Sequence, residues 1–262
     1  MAGRELREDP LTGRRVAVAP ARAERPGGGR IPEDECPFCA GREDLTPPET
    51  LRLGDPWQVR AFPNLFPAFE RQEVVVHAPD HVLSLADLGA ARLRLVAEAW
   101  RLRREAVPSG YLHALVNEGR AAGASREHTH SQLVWLGGAP AETQHRVDRD
   151  RWSVVAERDG LVLACPYASR LPYELVLAPG EPRAGAFEDE LLPAALVLLG
   201  DAVRRLRALA AGVPLNVWLH ASEDWHLEVL PRRSVLAGIE LGAGIYVNSL
   251  PPEDAAERLR AV

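Results

Sequence analysis

Two long stretches of helical periodicity, near residues 85–106 and 187–211, divide the sequence into two runs of short apolar segments set out in the same order. Each stretch repeats apolar residues at helical spacing against an arginine-rich opposite side, and Pro108 and Pro214 stop the two helices. Strand-like runs at Gln58–Phe62 and Glu73–His77 precede the first helix, and Tyr111–Val116 and His128–Leu136 follow it. Around the second helix the corresponding runs are Leu161–Ala164, Tyr173–Leu177, Leu215–Leu219 and Trp225–Leu230. One plan met twice is the mark of an internal duplication. It restricts the chain to an α+β fold of two similar halves, residues 1–140 and 141–262. Each half is an antiparallel sheet with a long helix, and the two sheets are joined or adjacent. The agreement reaches short motifs. Phe62-Pro63-Asn64 parallels Cys165-Pro166-Tyr167, His77-Ala78-Pro79 parallels Leu177-Ala178-Pro179, and His128-Thr129-His130 parallels His226-Leu227-Glu228.

Composition removes several kinds of chemistry. The chain has no lysine, so a lysine Schiff base and a Walker A phosphate loop are both excluded. Any phosphate must be held by arginine, histidine, main-chain amides or a metal. A net charge of −6 speaks against a general nucleic-acid surface. No apolar run has the length of a membrane span, and the polar start Met1-Ala2-Gly3-Arg4-Glu5 lacks the apolar stretch of an export signal. The cytoplasm is the expected location. Three cysteines are too few for a disulfide framework. Cys165, in an apolar run, reads as core, whereas Cys36-Pro37-Phe38-Cys39 is a metal half-site.

The densest chemistry lies between Asn117 and Gln132. A loop of small residues, Gly119 to Ser125, feeds a strand on which His128, His130 and Gln132 are spaced two apart and share one face. Leu133 and Trp135 alternate onto the opposite face as core, and Thr129 and Ser131 also point away from the polar one. Two imidazoles and an amide on one strand face would be costly to bury without partners, and a ligand, a metal or catalysis would supply them. A neutral imidazole with one nitrogen protonated can attack phosphorus, which splits a group transfer into two displacements. Gln132, Ser125 and the amides of the Gly119–Ser125 loop, Gly123 among them, are suited to receive the charge. Arg22 and Arg25, flanking the loop that runs into Gly27-Gly28-Gly29, are suited to clamp phosphates.

The run Asn-x-Gly-x-x-x-Gly-x-Ser-x-x-His-x-His-x-Gln, from Asn117 to Gln132, resembles the active-site signature of the galactose-1-phosphate uridylyltransferases, a branch of the histidine-triad superfamily. The resemblance extends to Asp9-Pro10-Leu11-Thr12-Gly13, Phe62-Pro63-Asn64, Pro79-Asp80-His81, and the stretch from Trp225 to Gly244. It implies that His130 is the nucleophile that carries the nucleotidyl group and that Gln132 bonds its phosphate. Ser125, Arg22 and Arg25 would contact the phosphates, Asn64 and Asn117 the nucleoside, and Phe62 the base. Glu240 would contact a sugar hydroxyl. A structural zinc would sit on Cys36, Cys39, His81 and His128, a closed set of two thiolates and two imidazoles. A second metal near His220, His226 and Glu228 stays open. The resemblance also implies a homodimer. UDP-glucose and a hexose 1-phosphate would be the substrates, in a ping-pong exchange belonging to galactose metabolism.

This chain reads His-Thr-His-Ser-Gln where the best-known relatives read His-Pro-His-Gly-Gln, and it is shorter than they are after Gln132. Substrate choice is therefore open. A uridylyltransferase leads, an adenylyl-transferring phosphorylase of ADP-sugars or dinucleotides is the alternative, and a zinc-stabilised nucleotide binder without turnover is the reading from another class.

Overall fold

The computed structural model describes residues 5–24 and 32–262. A short ribbon of β1 (Glu5–Glu8) and β2 (Arg15–Val18) stands apart from the main sheet. The first run then contributes β3 (Leu51–Leu53), β4 (Val59–Pro63), β5 (Arg71–Val76), α1 (Ala90–Ala106), β6 (Tyr111–Glu118) and β7 (His130–Leu136). The second contributes β8 (Ser153–Arg158), β9 (Leu161–Cys165), β10 (Leu175–Pro179), α2 (Leu192–Leu209), β11 (Leu215–His220) and β12 (His226–Pro231), and α3 (Gly238–Ala243) and α4 (Pro252–Arg260) follow.

The sheets of the two halves are joined, the first of the two expected arrangements. Among the described residues a ten-stranded antiparallel sheet runs β3-β4-β5-β7-β6-β11-β12-β10-β9-β8. Read inward from either edge, the strands come in the same order, and the halves meet where β6 pairs with β11, Asn117 opposite Asn216 and Val116 opposite Val217. The edge strands β3 and β8 went unread in the sequence, because their side chains alternate weakly and Leu51-Arg52-Leu53 is three residues long.

Both helices lie on one face of the sheet. Leu93, Val96 and Trp100 of α1 and Leu196, Leu199 and Val203 of α2 form one core with Val59, Ala61, Val75, Leu133 and Leu227. α1 begins later than its periodicity suggests. Leu85–Asp87 is a separate 3-10 turn capped by Ser84, and Gly89 forms the extended N-cap of the helix proper. Cys165 is fully buried in this core, as expected, and burial pushes its thiol up to about 12.

Strand alternation then decides what the other face carries. With Val59 and Ala61 turned to the helices, Arg60 and Phe62 turn away, and Phe62 joins Cys36, Phe38, Cys39, Trp57, Val74 and Val76 in a second apolar cluster. On β7 the same alternation sends Leu133 and Trp135 to the core and leaves His130 and Gln132 on this second face. No helix among the described residues is long and apolar enough to cross a membrane.

Candidate active site

His130 is the first residue of β7, opposite Val76 of β5, and Gln132 lies between Val74 of β5 and Leu115 of β6. Both line a cleft of about 120 Å³ with Phe38, Phe62, Asn64, Phe66, Ser125 and Arg126. Aromatic rings form one wall and polar groups the floor, a division suited to a ligand with a flat apolar end and a charged end. His130 is nearly buried, and its Nδ1 lies 2.8 Å from the carbonyl oxygen of His128. A carbonyl only accepts, so the proton is on Nδ1 and the lone pair is on Nε2.

The back of the same strand is held by a buried polar chain. Trp100 Nε1 donates to Ser131 Oγ at 2.8 Å, and the His77 ring spans Ser131 Oγ and Thr129 Oγ1 at 3.0 Å each. His77 is fully buried, and burial holds its ring well below the usual histidine range, hence neutral. One imidazole thus grips the residues on both sides of His130.

The loop before the strand depends on glycine. Gly119 (φ 79°) and Gly123 (φ 86°) are left-handed, and a Cβ on Gly119 would meet Pro214 at 3.0 Å. Asn216 Nδ2 ties this loop down through Ala122 O at 2.8 Å and Asn117 Oδ1 at 2.7 Å. Asn117 therefore secures the loop and is not among the residues lining the cleft. Gly123 turns the chain towards Ser125, and Ser125 does line the cleft.

Cys36, Cys39, His81 and His128 come together as the sequence suggested, with ligand atoms all within 4.8 Å of one another. His128 Nδ1 is 3.6 Å from both sulfurs, and His81 Nδ1 is 3.4 Å from Cys39 Sγ. His128 Nε2 donates to Ala78 O at 2.9 Å, which leaves the Nδ1 lone pair for the cluster. A fixed outer hydrogen bond of this kind is typical of a metal-binding imidazole. Four converging N and S donors suit a tetrahedral zinc. Without a cation, burial and the neighbouring Cys36 push the Cys39 thiol up to about 12.

Other expected residues are placed differently. Arg22 reaches the cleft's edge, where Nη1 donates to Phe66 O at 2.9 Å, and Arg25 lies outside the described residues. Asn64 lines the cleft, but its Oδ1 is taken by Phe66 N–H at 2.9 Å. Glu240 does not line the cleft. It reaches back to Ala237 N–H at 2.8 Å, satisfying the start of α3 as an N3 glutamate does. Three residues that sequence reasoning passed over belong to the site: Phe38, inside the Cys-x-x-Cys; Arg126, next to Ser125; and Gln72, bonded to Gln132 at 2.7 Å. For Arg126 the signal was adjacency in the loop; for Gln72 it was a polar residue on a valine-rich strand.

His220, His226 and Glu228 also converge, with His220 Nε2 2.8 Å from Glu228 Oε1 and the two rings stacked at 4.3 Å. Burial opposes ionisation of Glu228, yet the contact with His220 and the Arg170 guanidinium together hold its carboxyl well below the usual range. Arg170 sits directly on Glu228 and on the buried Glu174, so a guanidinium supplies the positive charge here. The register also corrects the sequence pairing of the halves. His226, like His130, opens its strand and donates Nδ1–H to the carbonyl two residues back, Asp224 O at 2.9 Å. The residue before each donates to a loop carbonyl, Thr129 N–H to Val82 O and Trp225 N–H to Arg183 O. His226 is thus the counterpart of His130 rather than of His128, and Glu228 that of Gln132.

A strand-borne histidine with its proton held on Nδ1 thus lies beside an amide in a half-apolar cleft, on a histidine-triad fold. The family described as galactose-1-phosphate uridyl transferase, N-terminal domain, matches residues 67–137. An ADP-glucose phosphorylase of Arabidopsis thaliana is 27% identical over 98% of this chain and 93% of its own. A galactose-1-phosphate uridylyltransferase of Thermotoga maritima is 22% identical over 98% of both. The crystal structure of an Arabidopsis thaliana ADP-glucose phosphorylase with bound ADP-glucose superposes with a TM-score of 0.80 at 26% identity, covering 99% of each chain. Over nearly its whole length the chain is similar to enzymes of the nucleotidyltransferase type, and residues 67–137 match the galactose-1-phosphate uridyl transferase N-terminal domain.

Proposed function

We propose that the protein moves a nucleoside monophosphate from a nucleoside diphosphate sugar to an acceptor phosphate through a covalent bond to His130 Nε2. The observation that carries this reading is the 2.8 Å bond from His130 Nδ1 to His128 O, in a ring that lines the cleft. In the first displacement, the Nε2 lone pair forms a bond to the α-phosphorus. The bond from that phosphorus to the bridging oxygen breaks, and the sugar 1-phosphate leaves with the electron pair. The ring becomes cationic, and the Nδ1–H bond to the carbonyl strengthens as it does so. In the second displacement, an acceptor phosphate oxygen attacks the same phosphorus and the P–Nε2 bond breaks. Nε2 recovers its lone pair.

Phe62 and Phe38 would receive the base. Gln132, Ser125, Arg22 and Arg25 would receive the phosphates. Arg126 adds a further cation at the cleft. The Cys36, Cys39, His81 and His128 cluster would hold a structural zinc, whose charge would keep both thiols ionised. We read residues 1–140 as the catalytic half and 141–262 as the half that has lost phosphorus chemistry, since a carboxylate at Glu228 repels the phosphate that an amide at Gln132 attracts. A second copy of the chain would cover the exposed apolar segment around Val235, Leu241 and Val247 and bring Glu240 to a sugar.

Identity over the full length favours an adenylyl donor, as in the Arabidopsis relative. The uridylyl reading is supported by the family match over residues 67–137, which include His130 and Gln132. Supplying ADP-glucose with orthophosphate, or UDP-glucose with galactose 1-phosphate, and separating the products by chromatography distinguishes them. ADP with glucose 1-phosphate is the expected outcome. UDP-galactose would assign the second reading, and no consumption of either donor would remove both.

A further inference from the structure

We infer that Gln72 is a positioning residue that decides which end of the Gln132 amide meets the substrate phosphate; this rests on the transfer reading above. A glutamine amide has a carbonyl at one end and an NH2 at the other, and a half-turn exchanges them. At a phosphate only the NH2 end is useful, because the carbonyl oxygen repels it. Nothing in Gln132 alone selects one orientation over the other.

The selection begins at a group whose role cannot change. Ala68 N–H is a main-chain donor, and it donates to Gln72 Oε1 at 2.8 Å. The carbonyl end of Gln72 is committed by that bond, so the end facing Gln132 is NH2. Gln72 Nε2 donates to Gln132 Oε1 at 2.7 Å. Gln132 therefore spends its carbonyl on Gln72, and its own NH2 remains for the cleft. The donor of the chain is itself well held. The turn that carries Ala68 is pinned by Asn64 N–H to Gln72 O at 2.8 Å and by Phe66 N–H to Asn64 Oδ1 at 2.9 Å. Gln72 is 7% exposed, so turning either amide would leave buried polar groups without partners.

Gln72→Glu is the informative variant. It keeps an oxygen for Ala68 N–H but offers a second oxygen to Gln132, which must turn its NH2 inward and present its carbonyl to the phosphate. Gln72→Met, of similar volume, frees Gln132 to take either orientation. Both are made with Gln132 present and with Gln132→Met. Two quantities are read, the single-turnover rate of nucleotidyl transfer to His130 and the equilibrium affinity for AMP and for UMP. With Gln132 present, Gln72→Glu should lower both by about 10- to 100-fold, the usual range for outer-sphere positioning groups, and Gln72→Met by less. In the Gln132→Met background both effects should shrink to within about threefold, as a double-mutant cycle requires of a coupled pair. Losses of equal size in the two backgrounds, for either Gln72 variant, would overturn the inference, because added charge or damaged packing acts whether or not Gln132 is present. If the unaltered protein forms no adduct, the transfer reading fails, and the nucleotide affinities still decide the role of Gln72.

Discussion

His130 gives its Nδ1–H to the carbonyl of His128 at 2.8 Å, and His128 is itself one of the four residues of the Cys-His cluster. The group that fixes the His130 tautomer is thus anchored by the candidate metal site. On its other side the His128 ring is held by Ala78 O at 2.9 Å. A metal there would need no open position to matter, because it would act through the main chain of one residue on the ring two residues along. Removing the metal with a chelator, or replacing Cys39 by Ser, should lower the transfer rate by about 10-fold or more and reduce thermal stability. Metal content measured beside single-turnover rates checks this, and a metal-free protein with an unchanged rate would contradict it.

The polar chain behind β7 makes a separate prediction about stability. Ser131→Ala leaves Trp100 Nε1 and one nitrogen of His77 without their 2.8 and 3.0 Å partners in a fully buried setting. Each such orphaned group costs about 1–3 kcal/mol. Denaturant unfolding should show a loss of about 2–6 kcal/mol for Ser131→Ala, which orphans two such groups. For Thr129→Ser, which keeps its hydroxyl, the loss should be much smaller. Equal losses would mean that the hydroxyls are incidental.

Buried histidines set the response to acid. Burial holds His77 well below its ordinary value, and burial with the neighbouring His220 brings His113 down to about 4. These rings stay neutral in the folded chain while the unfolded chain protonates near 6.5, so the unfolded state binds more protons as pH falls. Stability is fully present above about pH 6.5 and declines as pH falls through it, by up to about 1.4 kcal/mol per pH unit for each such ring. For His113 the decline ends near pH 4, where the folded state also protonates. Unfolding free energies measured between pH 7 and 5 should fall, and His113→Asn should make that fall shallower by about one proton. An unchanged slope in the variant would show that His113 does not contribute.

Much of this architecture could be read in the sequence because it rests on periodicity. Helical spacing located α1 and α2, and the two-residue spacing placed His130 and Gln132 on one face and Thr129 and Ser131 on the other. What escaped depended on register or on contacts distant in sequence. His-x-His and His-x-Glu look alike as strings, yet pairing aligns His130 with His226, a shift of two residues that periodicity cannot detect because it preserves the face. Arg170 on Glu228 joins residues 58 apart, and Gln72 on Gln132 joins residues 60 apart. The bond from Ala237 N–H to the Glu240 carboxylate at the start of α3 was likewise not read from the motif.

The central claim is a phosphorus–nitrogen bond at one atom, and intact-protein and peptide mass spectrometry after brief mixing with ADP-glucose or UDP-glucose, quenched without acid, tests it directly. The expected result is a nucleoside monophosphate on the peptide containing residue 130, labile to acid, removed by adding acceptor phosphate, and absent in His130→Gly. Turnover with no adduct, or an adduct on any other residue, would contradict the account.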